Sequence, residues 1–130
     1  MSIITDMSNV NWIDKSILIV EDDRFNALII ENFLKETRAT LKIANSGEKA
    51  VEMAKALNPD VILMDIKLPG IDGKEATRLI RQFLPNVIII AQTAFVTDTD
   101  KEEALSAGCN DFISKPIKFD KLIQVIMKFL

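Results

Sequence analysis

The sequence contains no histidine and no tyrosine, and it has a single cysteine, Cys109. The lack of histidine excludes a phosphohistidine carrier, a Ser-His-Asp triad and any histidine-ligated metal site within this chain. One cysteine cannot form an internal disulfide, which fits a reducing cytosol. A chain of 130 residues is expected to be one domain that needs neither disulfides nor a structural metal to fold.

An excess of basic charge and long apolar runs are also missing. The formal net charge is −3, whereas a nucleic-acid-binding surface has an excess of basic residues. No apolar run approaches the roughly 18 to 20 residues of a membrane span. Asp6 and Asp14 lie in the first fifteen residues, which lack the basic and apolar regions of a signal peptide. We therefore expect a cytoplasmic protein that binds neither nucleic acid nor a membrane.

Short apolar runs predict the strands of a sheet. Three runs are nearly continuous: Ile17–Val20, Val61–Met64 and Val87–Ala91. Continuous β-branched runs of this length are typical of strands covered on both faces, as in a parallel sheet. Thr40–Ala44 alternates apolar and polar residues, which suits a strand nearer an edge, and a short fifth strand is expected around Phe112.

Apolar residues at three- and four-residue spacing predict five helices between these strands. They occur in Phe25–Leu34, Ala50–Leu57, Ala76–Phe83, Thr99–Ala107 and Leu122–Leu130. Asn58-Pro59 is expected to end the second helix, Thr99 with Glu102 to cap the fourth, and Gly108 to end it. Five strand–helix units with right-handed crossovers give an α/β fold, a doubly wound sheet with helices on both faces.

The residues that follow the strands carry the chemistry. These are Glu21, Asp22 and Asp23, then Asp65, Thr93 and Lys115. In a doubly wound sheet the carboxyl ends of the strands form the ligand site, so these side chains are expected at one place. Neighbouring carboxylates repel, and Mg²⁺ relieves the repulsion because it binds carboxylates together with phosphate oxygens. With an ammonium and a hydroxyl nearby, the pattern indicates a phosphoryl site with an aspartate nucleophile.

From Ser16 onwards the chain resembles the receiver domain of bacterial response regulators and hybrid histidine kinases. The matching stretches are Ile17–Asp23, Leu63–Gly73, Thr93-Ala94 and Phe112–Pro116. Each is weak alone, but four in the right order at matching strand ends are highly specific. The resemblance implies a flavodoxin-like five-stranded parallel sheet in the order 2-1-3-4-5. Residues 1–15 are expected to be an N-terminal leader and residues 16–130 the receiver domain.

The resemblance also implies a metal site and a nucleophile. Asp65 is the phosphoacceptor and a ligand of Mg²⁺, which is the expected cofactor. Asp22 binds the ion directly, Glu21 holds it largely through water, and the backbone carbonyl of Lys67 supplies a further ligand. Asp23 falls outside the family's acidic pair and is expected to start the first helix.

A second group of residues is implied to respond to the phosphoryl group. Thr93 hydrogen-bonds it, and Lys115 pairs with Asp65 before transfer and with the phosphoryl oxygens afterwards. Phe112 is the switch aromatic that turns inward as Thr93 moves. The peptide bond between Lys115 and Pro116 is expected to be cis, a form that X-Pro bonds adopt at little cost.

The implied function is phosphorelay signal transduction. Asp65 accepts a phosphoryl group from a phosphohistidine of a sensor histidine kinase or a histidine phosphotransfer protein. The surface formed by the fourth helix, fifth strand and fifth helix then switches, and the phosphorylated chain is expected to be able to form a homodimer. Beyond its own phosphotransfer and dephosphorylation, the chain is not expected to be an enzyme.

The chain departs from the family pattern at three positions, two of which concern the rate of dephosphorylation. Phe95 and Lys67 stand where the family adjusts its own dephosphorylation, and we expect bulky Phe95 to hinder the attacking water and slow the decay of the phosphoform. The half-life should then be shorter in Phe95→Ala. Lys118 stands where a small polar helix cap is frequent, which is expected to move the start of the last helix but not the chemistry.

Plainer interpretations stay open for single residues. Alone, the acidic run at 21–23 is more often a solvated turn, Asp65 a turn cap, Lys115 a surface lysine and Phe112 a core residue. Thr93 alone would satisfy a backbone group at a strand end. Their occurrence together at one edge favours the phosphoryl site.

Other functions also stay open. A Mg²⁺-dependent phosphohydrolase with an aspartyl-phosphate intermediate commonly has a second acid where Lys67 stands. A pseudo-receiver that binds partners without phosphate is disfavoured by the intact residue set, and an FMN carrier by the acidic first loop. The chain ends at Leu130 after the last helix, which is expected either for a stand-alone protein or for a receiver cut from a larger one.

Overall fold

The computed structural model describes residues 10–94 and 97–130, in which strands and helices alternate. The strands are β1 (Ser16–Val20), β2 (Thr40–Ala44), β3 (Val61–Asp65), β4 (Ile88–Thr93) and β5 (Asp111–Ser114). The helices are α1 (Arg24–Leu34), α2 (Gly47–Leu57), α3 (Gly73–Arg81), α4 (Asp98–Ala107) and α5 (Phe119–Met127). A short 3₁₀ turn, Lys35–Thr37, follows α1.

The strands form one parallel sheet in the order β2-β1-β3-β4-β5, which confirms the doubly wound α/β fold. Every residue of β3 is buried, because this central strand has neighbours on both sides and helices on both faces. In β2 exposed and half-buried residues alternate, as expected for an edge strand. The continuous and the alternating apolar patterns therefore identified the inner and the outer strands correctly.

Alternation along the strands divides the core into two layers. The α1/α5 face is the side of the sheet covered by α1 and α5, and the strands contribute Ile17, Ile19, Val61, Leu63, Ile90 and Ile113 to it. The α2–α4 face is the opposite side, to which the strands contribute Leu18, Val20, Ile62, Met64, Ile89 and Ala91. Successive residues of a strand point to opposite faces, so one strand supplies both layers.

A side-chain cap and residues with left-handed backbone define several helix ends. Asp23 Oδ1 accepts hydrogen bonds from the backbone N–H groups of Phe25 and Asn26, so Asp23 starts α1 as expected. Asn58, at φ 46°, and Gly108, at φ 116°, end α2 and α4 in the left-handed conformation.

The expected cap at Thr99 with Glu102 was wrong. The hydroxyl of Thr97 caps α4 by accepting from the N–H of Asp100, and the Asp100 carboxylate accepts from the N–H of Thr97. Both pairs consist of a threonine followed three residues later by an acid, but the helical backbone starts after Thr97, so the N-cap is Thr97 and the third helical position is Asp100. The helix therefore begins at Asp98, one residue before the expected start.

Part of the expected leader packs on the domain. Trp12 is 8% exposed and lies in the core of the α1/α5 face together with Val10. The N–H of Trp12 donates to the carbonyl of Thr37, 2.7 Å away. Among residues 10–94 and 97–130, no helix is both long and apolar enough to cross a bilayer.

Candidate functional site

Three polar residues form a row at the carboxyl edge of the sheet. Asp65, the last residue of β3, is the register partner of Gln92 on β4. Glu21 follows β1 directly, and its N–H donates to the carbonyl of Ala44, so the strand pairing continues to this residue. Because Glu21, Asp65 and Gln92 stand two residues after Ile19, Leu63 and Ile90, their side chains point to the α1/α5 face.

Lys115 lies between the two buried carboxylates of this row. Its Nζ is 3.1 Å from Asp65 Oδ2 and 3.2 Å from Glu21 Oε1. Asp65 is only 3% exposed and Glu21 only 2%. A buried charge needs a partner, and one ammonium here serves two carboxylates. The structure therefore brings together three residues that are far apart in the chain.

The pKa of Glu21 is strongly shifted in this environment. Its pKa is raised from the ordinary value of 4.5 to about 7, chiefly by burial and also by the neighbouring Asp65. A hydrogen bond from the Asp23 N–H to Glu21 Oε2 and the charge of Lys115 oppose this rise. Near neutral pH, Glu21 is thus close to taking up a proton. The repulsion between neighbouring carboxylates that the sequence predicted contributes to this shift.

Lys115 stays charged in the same surroundings. Burial alone would lower the pKa of its ammonium, but the hydrogen bond and the charge of Asp65, together with Glu21, outweigh burial and raise the pKa. The second oxygen of Asp65, Oδ1, accepts a hydrogen bond from the backbone N–H of Lys67 at 3.1 Å. Both oxygens of the expected nucleophile are therefore oriented.

With the third acid, the cluster has three carboxylates that could hold a metal ion. Glu21, Asp22 and Asp65 each offer a carboxylate oxygen, and these atoms lie within 4.8 Å of one another. Asp22 is exposed whereas the other two are buried, so the cluster opens to solvent on one side. Three carboxylate oxygens without histidine or thiolate match the preference of Mg²⁺ and not that of Zn²⁺.

Gly73 controls the backbone behind Asp65. Its N–H donates to the carbonyl of Ile66 at 2.9 Å, which closes the loop between β3 and α3. A Cβ at this position would overlap the backbone carbonyl oxygen of Asp65 and crowd the Cα of Ile66. The loop can return so close to the strand only because residue 73 has no side chain.

The two expected switch residues lie on the α2–α4 face, opposite the row of Glu21, Asp65 and Gln92. Thr93 ends β4 and is half-buried, and Phe112 lies in β5. Both line a small cavity of about 30 Å³ that α4 closes with Lys101 and Ala104. Lys101 Nζ stands 5.3 Å from the centroid of the Phe112 ring, within the range of a cation–π contact.

Three further expectations have different outcomes. The bond between Lys115 and Pro116 is cis, as expected. Lys118 precedes α5 without forming a side-chain cap, and the helix begins at Phe119. Phe95 lies outside the described residues, so its proposed effect on the attacking water stays a prediction.

Sequence reasoning gave no role to Gln92. The expected fourth strand was Val87–Ala91, whereas the structure continues it to Thr93 and thereby places Gln92 inside the strand, 1% exposed. Its amide belongs to the row that contains the expected nucleophile. The available signal was one polar residue directly after a continuous apolar run.

Comparisons with known proteins agree with this geometry. Residues 17–127 match the family model of the response regulator receiver domain. The polar-differentiation response regulator DivK of Brucella ovis is 35% identical over 118 residues, which cover 89% of this chain and 96% of DivK.

Two solved structures combine structural and sequence similarity. The receiver domain of the sensor histidine kinase PA1611 from Pseudomonas aeruginosa, with a magnesium ion in its active site cleft, has a TM-score of 0.82 and 38% identity, covering 88% of this chain and 96% of that one. The receiver domain of Ssk1 from Saccharomyces cerevisiae, crystallised with the histidine phosphotransfer protein Ypd1, has a TM-score of 0.84 and 35% identity, covering 88% of each chain. The chain described here therefore belongs to the receiver domain family of the two-component response regulators.

Proposed function

We propose that Asp65 accepts a phosphoryl group from a phosphohistidine of a sensor histidine kinase or a histidine phosphotransfer protein. The observation that carries this proposal is the buried Asp65 carboxylate, held by Lys115 at 3.1 Å inside a cluster of three acids. An aspartate of this kind is a nucleophile toward phosphorus, and the cluster gives it a fixed orientation. The pairing of Ssk1 with Ypd1 supports the class of partner.

The acids of this site suit Mg²⁺. Asp22 and Asp65 would hold the ion directly, Glu21 largely through water, and the carbonyl of Lys67 would add a ligand. When bound, the ion supplies positive charge against the phosphoryl oxygens and the clustered carboxylates. Added positive charge would favour the ionised form of Glu21, whose pKa is raised to about 7 chiefly by burial.

The chain's own residues perform the transfer. An oxygen of Asp65 attacks phosphorus, and the bond between phosphorus and the partner's imidazole nitrogen breaks with its electron pair going to that nitrogen. As negative charge develops on the phosphoryl oxygens, the Lys115 ammonium shifts from the Asp65 carboxylate to these oxygens. Catalysis is then positioning and electrostatics, and the chain is no enzyme for other substrates.

The response runs through Thr93 and Phe112. Thr93 moves to hydrogen-bond the phosphoryl group, and Phe112 turns into the space that Thr93 leaves. Their shared cavity of about 30 Å³ and the position of Lys101 over the Phe112 ring support this coupling to α4. The surface of α4, β5 and α5 is then the output, and it is also where a phosphorylation-dependent homodimer would form.

The partner should dock over α1 and the loop after β5. Phe25 is 72% exposed, although it lies only three residues from Asp22. Beside it, a groove of about 370 Å³ runs from Glu21 past Ile29 to Pro116. An exposed aromatic next to a groove that reaches the site suits a partner that brings its own phosphohistidine.

Two organisational features complete the proposal. Residues 1–15 are the leader of a receiver domain at residues 16–130, with Trp12 anchoring the leader to the domain. The location is cytoplasmic, which the free, buried Cys109 supports because a reducing compartment preserves a thiol.

The decisive experiment is incubation with acetyl phosphate, with and without Mg²⁺, followed by intact mass spectrometry. The wild-type chain should gain one phosphoryl group only with Mg²⁺, and Asp65→Asn should gain none. Asp23→Asn is a matched control, because asparagine caps a helix as well as aspartate and Asp23 lies outside the site. Phosphorylation that persists in Asp65→Asn, or repeated turnover of a small phosphoester, would overturn the proposal.

A further inference from the structure

Gln92 has an unusual environment for an amide side chain. It is 1% exposed, and within residues 10–94 and 97–130 neither its Nε2 nor its Oε1 has a hydrogen-bond partner. Buried polar side chains are nearly always hydrogen-bonded, because an unpaired amide loses its bonds to water without replacement. An exception beside a reactive carboxylate therefore calls for a functional explanation.

Among the residues beside Gln92 in the sheet on its own face, one has a polar side chain. In the row across the sheet, Gln92 stands between Asp65 on β3 and Ile113 on β5. Two residues earlier along β4 lies Ile90, which is buried on the same face. Neighbouring strands lie about 4.7–4.9 Å apart, a gap that a glutamine side chain can span. Asp65 is the polar member of this set.

In the resting state Asp65 makes other bonds. Its Oδ1 accepts from the Lys67 N–H, and its Oδ2 is paired with Lys115. Phosphorylation changes these interactions of Asp65. One of its oxygens becomes bonded to phosphorus, and Lys115 turns toward the phosphoryl group. The remaining oxygen is then a neutral carbonyl that can accept a new hydrogen bond.

We propose that the Gln92 amide donates to the Asp65 carboxyl oxygen that is not bonded to phosphorus, and that this bond speeds the loss of the phosphoryl group. The inference rests on the proposed phosphorylation of Asp65. During hydrolysis a water oxygen bonds to phosphorus and gives a proton to solvent. The bond from phosphorus to Asp65 breaks, and its electron pair returns to the carboxylate.

The amide stabilises this charge as it develops. A donor that bonds more strongly in the transition state than in the ground state accelerates the step. Donors aimed at a developing oxyanion commonly contribute a hundredfold or more, on the order of 10²–10³. We expect about tenfold for Gln92, because the charge is shared between two carboxylate oxygens.

The first test measures the lifetime of the phosphoform. The chain is phosphorylated with acetyl phosphate and Mg²⁺ and desalted, and the decay is followed by intact mass. Gln92→Met keeps the length of the side chain without the amide and should lengthen the half-life about tenfold. Ile90→Met, on the same face of the same strand, controls for packing and should leave the half-life unchanged.

The second test observes the amide directly in the wild-type chain, so it does not depend on whether a variant folds. The ¹H–¹⁵N signals of the Gln92 side chain, assigned by triple-resonance spectroscopy, should shift when acetyl phosphate and Mg²⁺ are added. Unmoved signals would overturn the inference, as would an unchanged half-life in Gln92→Met or an equal slowing in Ile90→Met. A wild-type chain that gains no phosphoryl group would instead overturn the proposed function, on which the inference depends.

Discussion

Replacing Glu21 by glutamine should stabilise the metal-free protein above neutral pH. In the folded chain burial raises the pKa of Glu21 from 4.5 to about 7, so the folded state favours the protonated form. The stabilisation due to the bound proton is complete below pH 4.5 and is lost as the pH rises to about 7. The difference between the two pKa values corresponds to about 3 kcal/mol.

Glu21→Gln removes this dependence because glutamine does not ionise, while it keeps an acceptor for the Asp23 N–H. The free energy of unfolding of Glu21→Gln should exceed that of the wild type by less than about 1 kcal/mol near pH 5 and by about 3 kcal/mol at pH 8. The measurement is urea unfolding with EDTA, followed by the fluorescence of Trp12, the single tryptophan.

Glu52→Gln is a suitable control, because the Glu52 side chain is 71% exposed and should give the same difference from the wild type at every pH. The reasoning about Glu21 would be refuted if the difference between Glu21→Gln and the wild type were equal at pH 5 and pH 8.

Three further predictions concern parts that hold the site. Lys115→Met should destabilise the metal-free protein by about 3 kcal/mol, because two buried carboxylates lose their cation; unchanged urea unfolding at pH 8 would contradict this. Gly73→Ala should cost about 1–3 kcal/mol and slow phosphorylation by acetyl phosphate, because its Cβ collides with the backbone of Asp65; a variant with the wild-type melting temperature and rate would show that the loop has room. Trp12→Ala should cost about 3–5 kcal/mol by circular dichroism, because the side chain is buried against the domain, whereas a loss below about 1 kcal/mol would mean that the segment does not anchor.

Much of the fold could be predicted from local patterns. The apolar runs of β1 and β3 and the alternation in β2 gave the inner and edge strands, since burial on one or two faces determines which positions are apolar. Asn58 and Gly108 gave two helix ends for an equally local reason, because they tolerate left-handed backbone. The start of α4 was missed, because two threonine pairs have the same spacing and only Thr97 with Asp100 forms reciprocal bonds.

The sequence by itself determined which chemistry is available: acids, an ammonium and a hydroxyl after the strands, with no histidine. Only the tertiary structure decided how those groups act on one another. Burial of Glu21 raises its pKa, one Lys115 ammonium serves two carboxylates, and the strand register places Gln92 next to Asp65. Desolvation and the distances between strands are set only when the chain packs. Glu21 and Lys115, which are 94 positions apart in the sequence, then interact electrostatically, and no local sequence pattern predicts this interaction.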